Sequence, residues 1–190
     1  MSNRIDYAKA SPEGYRAFGG VHVYLRKSGL PEALIDLVYL RVSQINGCAY
    51  CIDMHSRDLL KLGVPVEKLV LVPVWREAGG VFSARERAAL AWAETVTRVA
   101  ESHVPDAAYE AAAAEFSDKE LADLTYAIAL MNAFNRLGVA FRMPPRRPRR
   151  LDLQPRRAVW PGDLNEWIGH SWLGLSWASP ASSKSPSLSP

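Results

Sequence analysis

With 190 residues, 48% of them apolar, the chain can bury a substantial core as one globular domain. Its formal charge of +3 is uneven: residues 146–190 hold seven Lys or Arg against three Asp or Glu, and the remainder nets −1, which excludes a nucleic-acid footprint on the body. The opening residues carry no apolar signal segment, and the densest apolar run, Leu69 to Trp75, is too short to span a membrane, so a cytoplasmic protein with no membrane partner is expected.

In chain order the residues read as helix after helix. A first amphipathic segment runs from about Pro12 to Lys27, with Tyr15, Phe18, Val21 and Leu25 on one stripe and Gly29 as a stop. Pro31 suits the first turn of a second helix carrying Leu34, Leu37, Val38 and Ile45. Asn46-Gly47 breaks that pattern, and a third helix ends near Leu62 with Gly63 as its cap. A shorter apolar segment covers Val66 to Trp75. Ser83-Ala84-Arg85-Glu86 fits a capping box opening a helix through Leu90, Trp92, Val96 and Val99. An alanine-rich helix spans Pro105 to Phe116, and Ser117-Asp118-Lys119-Glu120 is a second capping box before Leu121, Leu124, Ile128 and Met131. No stretch alternates as a strand does, so an all-α helical bundle is expected over residues 1–145. Residues 146–190 form a basic, Pro/Ser-rich tail in which no periodicity is visible and disorder is expected.

The chemistry concentrates in Cys48-Ala49-Tyr50-Cys51-Ile52-Asp53-Met54-His55, which holds both cysteines. Offsets of three, four and seven place Cys48, Cys51 and His55 on one helical face. A loop this short constrains the unfolded chain little, so the pair reads as catalytic, redox-sensing or metal-binding and not as a staple. A free thiol ionises near pH 8.5. Here a helix N-terminus and an imidazole one turn from Cys51 both favour the thiolate. Spacing makes Cys51 the attacking sulfur, His55 the acceptor of its proton and Cys48 the resolving thiol. Attack on a peroxide gives a sulfenic acid, which the second thiol converts to a disulfide for an external reductant to reopen. Zinc held by Cys48, Cys51 and His55 is the competing reading, although it needs a fourth ligand and His22, His103 and His170 are isolated in sequence.

The run from Leu37 to His55, with its LRxSQxNG lead-in to the cysteines, resembles the core of the alkylhydroperoxidase D-like branch of the carboxymuconolactone decarboxylase superfamily. Arg4-Ile5-Asp6-Tyr7, Trp75-Arg76-Glu77, Phe82 to Leu90 and Asn132 to Leu137 extend the similarity over about residues 4–144. The resemblance implies an all-helical fold assembling as homotrimers or homohexamers. It also implies a thiol peroxidase that needs no bound cofactor and is reduced by a dithiol carrier, lipoamide-linked in the best-known members. The family places a glutamate of its proton relay twelve residues before the first cysteine. This chain has Asp36 there, one methylene shorter, which reads either as a relay carboxylate that reaches His55 through water or a shift of the helix or as a solvated helix residue. Tyr50 stands where the best-known members have histidine and reads as pocket wall. Glu86 reads as a cap, Glu77 and Glu94 as solvated faces, and Asn132, Asn135 and Arg136 as helix-crossing or subunit contacts. A dithiol–disulfide oxidoreductase or redox sensor without peroxide turnover is the alternative function. A decarboxylase-type lyase is disfavoured, because those relatives lack the cysteine pair.

Overall fold

A computed structural model describes residues 4–145, and the expectations for the tail lie outside them. Among the described residues every regular element is helical, and no helix is long and apolar enough to cross a membrane. A one-turn helix α1 (Tyr7–Ala10) is capped by the Asp6 side chain, which accepts from Lys9 N–H. Helix α2 (Pro12–Leu25) starts with proline at its first position, where no N–H is needed. Helix α3 (Glu32–Asn46) begins one residue later than expected: Pro31 is its N-cap, with extended backbone. Helix α4 (Ala49–Lys61) is followed by Gly63 in the left-handed region at φ 81°.

The apolar segment after it forms α5 (Val66–Leu71) and then tightens to a 3₁₀ turn over Val72–Val74, where Pro73 cannot donate to a helical bond. Both capping boxes close as expected. Ser83 and Glu86 bond each other's backbone at the start of α6 (Ala84–Thr97), and Ser117 and Glu120 do the same for α9 (Asp118–Ala140). Helix α6 stops before Val99, which lies instead in the short α7 (Val99–Ser102). Ser102 Oγ donates to Thr95 C=O at 2.7 Å and satisfies one of the carbonyls that the break leaves free. The alanine-rich segment is α8 (Asp106–Ala113).

Helix α3 is the hub: it packs on α4, α6 and α9. Its Ile35, Val38, Tyr39 and Val42 join Leu90's neighbours Ala89 and Ala93, and Leu124 and Ile128, in one apolar cluster. Leu37 and Leu40, on the opposite side, join Leu59, Val72, Trp75 and Phe82 in a second. A helix buried on two faces cannot show a simple amphipathic stripe. Helix α2 behaves in the opposite way. Of its expected stripe only Leu25 is buried, while Tyr15, Phe18 and Val21 stay 46%, 39% and 37% exposed. The Tyr15 and Phe18 rings meet Phe134 of α9 at 6.3 and 5.6 Å and form a wall, not core.

Candidate active site

Gly47 closes α3 in the left-handed conformation, φ 68°, a shape that costs other residues strain. Its N–H bonds Gln44 C=O at 3.3 Å, and Cys48 N–H bonds Ser43 C=O at 3.0 Å. That turn leaves Cys48 extended, as the N-cap of α4 and outside the helix proper. Cys51 lies in the first turn of α4 and His55 one turn further on, both buried. Cys48 and Cys51 are free thiols with sulfurs 2.6 Å apart, Cys51 hydrogen-bonding with Cys48.

Two charge states follow from that contact. The hydrogen bond between the two sulfurs is the main reason the Cys48 thiol falls to about 7. Burial opposes this, and the Cys51 and Tyr50 amides and Asn135 assist, although the Cys48 side chain makes no cap hydrogen bond. Cys51 is pushed up, first by the same hydrogen bond and then by burial. One proton is thus shared, with the first negative charge settling on Cys48. The two thiols titrate as a pair.

Cys51, not Cys48, opens onto a cavity of about 400 Å³ walled by α2, α3, α4 and α9. His55, Tyr39, Tyr50, Met54 and Phe134 line it with Cys51, so Tyr50 is pocket wall as expected. Cys48 is backed by Gly138 of α9: a Cβ there would come within 2.9 Å of its sulfur. The glycine is required by space.

Asp36 needs neither water nor a shift of the helix. Its Oδ1 accepts from His55 Nδ1 at 3.3 Å, both side chains being buried, and this corrects the expected indirect contact. The shorter side chain suffices because α3 lies directly on α4. Asp36 Oδ2 meets Arg26 Nη1 at 3.4 Å, and Arg26 pairs with Glu32 at 2.5 Å. With Nδ1–H held by the carboxylate, His55 presents Nε2 as an acceptor, and that atom is buried without a partner.

Several residues emerge only in three dimensions. Ser43 and Asn135 bond each other at 3.0 Å, and both favour the Cys51 thiolate, with Asn135 favouring that of Cys48 as well. Asn46 Nδ2 bridges Asn132 and Asn135, at 3.0 Å to each, which is a helix-crossing role. His22 is not isolated: it lines the cavity, its ring 6.0 Å from Tyr39, and burial, aided by Arg26, holds its pKa down. Glu94 is not a solvated residue. It is buried and bonds Arg41 at 2.7 Å, Trp75 Nε1 at 2.9 Å, and Arg76.

The zinc trio does not assemble. Among the described residues the metal-ligating atoms that converge, within 4.8 Å, belong to Asp36, His55 and Asp58. The Arg26 guanidinium on Asp36 already supplies a cation there.

The carboxymuconolactone decarboxylase family profile matches residues 10–95. YdfG of Bacillus subtilis, a protein of unknown function, is 33% identical over 140 residues, 74% of this chain and 95% of its own length. The chain belongs to the carboxymuconolactone decarboxylase family. Within it the AhpD-like branch is indicated by the crystal structure of ATU0492 from Agrobacterium tumefaciens, a candidate antioxidant-defence protein AhpD. That structure is 43% identical, with a TM-score of 0.73, over 76% of this chain and 98% of its own. The debrominase Bmp8 shares the fold at 21–22% identity and a TM-score of 0.63, over 70% and 71–72% of the respective chains. Members of this family are enzymes, and a shared fold does not fix the reaction.

Proposed function

We propose that this AhpD-like protein is a thiol-dependent peroxidase that reduces organic hydroperoxides through a Cys48–Cys51 dithiol/disulfide cycle. The observation that carries the reading is the placement of the pair: one sulfur faces a roomy cavity beside a carboxylate-held imidazole, and the other touches it from behind.

In the resting pair Cys48 is thiolate and Cys51 thiol. The shared proton crosses to Cys48, and the Cys51 sulfur attacks the terminal oxygen of ROOH. The O–O bond breaks, an S–O bond forms, Cys51 becomes sulfenic acid and RO⁻ departs. The terminal oxygen's proton passes through His55 Nε2 to the alkoxide, giving ROH, and the Cys48 proton replaces it on the Cys51 sulfenate that it touches. Cys48, thiolate again, attacks the Cys51 sulfur and expels hydroxide, which solvent protonates to water. Atoms and charge balance: dithiol plus ROOH yields disulfide, ROH and water.

The reductant is a dithiol carrier of lipoamide-type chemistry, and a dithiol that must be reopened after each turnover suits a reducing cytoplasm. Assembly as trimers or hexamers would cover exposed Val23, Val70 and Tyr126. The deciding experiment is a single turnover with cumene hydroperoxide. Wild type loses both thiols and forms the disulfide, Cys48→Ser stops at a sulfenic acid trapped on Cys51, and Cys51→Ser consumes no peroxide. Rapid disulfide exchange with a small dithiol but no reaction with any hydroperoxide would establish a dithiol–disulfide oxidoreductase instead.

A further inference from the structure

Buried polar atoms in folded proteins are nearly always hydrogen-bonded, so an exception on a residue that lines a cavity calls for an explanation, and a catalytic role is one. Two exceptions belong to residues that line this cavity: the Tyr39 hydroxyl and His55 Nε2, both buried and both without a partner. Their rings lie 4.9 Å apart, centroid to centroid, at 50°. Tyr39 has no exposed surface, and its ring is fixed in the α3 core cluster, so the hydroxyl cannot swing out to water. The two atoms differ in chemistry. His55 Nε2, opposite the Asp36-held Nδ1, is an acceptor, while a phenol donates.

We propose that Tyr39 O–H and His55 Nε2 together form the binding site for the –O–O–H group, and that Tyr39 is a catalytic residue donating a hydrogen bond to the oxygen that leaves as alkoxide. The inference rests on the peroxidase reading. A hydroperoxide carries one O–H, which suits the imidazole acceptor, and an alkoxy oxygen, which suits the phenol donor. Cys51 lines the same cavity, one turn from His55 on α4, so a hydroperoxide held by this pair would present its terminal oxygen to that sulfur, with the organic group among Tyr50, Met54, Leu130 and Phe134. The ligand class is therefore a hydroperoxide with a bulky apolar body, for which a cavity of about 400 Å³ has room.

As the O–O bond breaks, negative charge gathers on the alkoxy oxygen, and the Tyr39 hydrogen bond strengthens at that moment. Burial, with Asp36 nearby, pushes the Tyr39 pKa upward, so the phenol keeps its hydrogen throughout. No proton is transferred from it. The alkoxide is neutralised through His55, as in the cycle above.

The test uses the reduced full chain in single turnovers, so that no physiological reductant is required. Tyr39→Phe preserves the ring and its packing and is expected to slow disulfide formation by cumene hydroperoxide about a hundredfold, the cost of losing one such donor. Half-saturation should change far less than the maximal rate, and the ionisation midpoint of the Cys48–Cys51 pair should not move. A series of ring-substituted cumene hydroperoxides supplies a reading that a packing role would leave alone. Dependence of the rate on leaving-alcohol acidity should be shallow in wild type and steep in Tyr39→Phe. Equal rates and equal slopes in the two proteins would overturn the assignment. Should Tyr39→Phe fail to fold, a steep dependence in wild type alone would overturn it, and a shallow one would support it. If wild type reduces no hydroperoxide at all, the peroxidase reading fails first and this inference falls with it. Active wild type with an unaffected variant removes only the Tyr39 role.

Discussion

At the scale of single residues, the site works by dividing labour between two chemically identical thiols. The sulfur–sulfur hydrogen bond lowers Cys48, with the Cys51 and Tyr50 amides assisting, and raises Cys51, which faces the cavity. Removing the Cys51 sulfur in Cys51→Ala should therefore raise the Cys48 midpoint from about 7 toward that of a free thiol, read by pH-dependent alkylation with peptide mapping. The sign for activity follows. A reaction that needs the pair's anion speeds up as pH rises through about 7 and levels off above it. Asp36→Asn keeps the shape but ends the carboxylate's hold on His55 Nδ1. Loss of general acid–base catalysis predicts a rate lower by on the order of a hundredfold, with the thiol titration intact. Gly138→Ala crowds the Cys48 sulfur, since a Cβ there would stand 2.9 Å away. We expect about 1–3 kcal/mol of destabilisation by chemical denaturation, together with slower closure of the disulfide.

At the scale of elements, the site depends on the turn between α3 and α4. Gly47 carries φ 68°, and a Cβ on it would touch nothing, so Gly47→Ala is a purely conformational perturbation. It should cost about 1–2 kcal/mol, and thermal unfolding should show the midpoint falling by about 2–4 °C for each kcal/mol. Most elements were legible in the sequence because their signals are local. The serine caps of α6 and α9, the proline opening α2 and the Asn-Gly break before the cysteines all mark boundaries found in the structure. Long-range pairing left no such mark. Asn135 meets Ser43 across 92 residues, and Glu94 meets Arg41 across 53. Nothing in either neighbourhood announces that a polar residue on an apolar helix faces a sulfur, or that a glutamate is buried against two arginines. Tyr39 was hidden for a related reason. It sits in the apolar α3 run, and only the folded chain shows that the residue lines a cavity and that its hydroxyl is buried without a partner.

For the whole molecule, the first apolar cluster gives the cavity its floor through Tyr39, Cys51, Leu130 and Met131, while α2 supplies a less buried wall. The stripe of α2 looked like core because a cavity wall and a core face have the same apolar residues at the same spacing. Both clusters and the whole of the site lie within the described residues 4–145. A chain ended after residue 145 should therefore fold with the full helical circular dichroism signal and react with hydroperoxide at the wild-type rate. Loss of either would show that residues 146–190 are needed for the fold or the reaction.

Ionisation of the cysteine pair at neutral pH is the claim on which the rest depends, and the far-ultraviolet thiolate absorbance of the reduced protein reports it without any need for a reagent to enter the cavity. A titration should show one thiolate per chain appearing with a midpoint near 7 and disappearing from that range in Cys48→Ala. Two thiols that both ionise only at about 8.5 or above, as free cysteine does, would contradict the account.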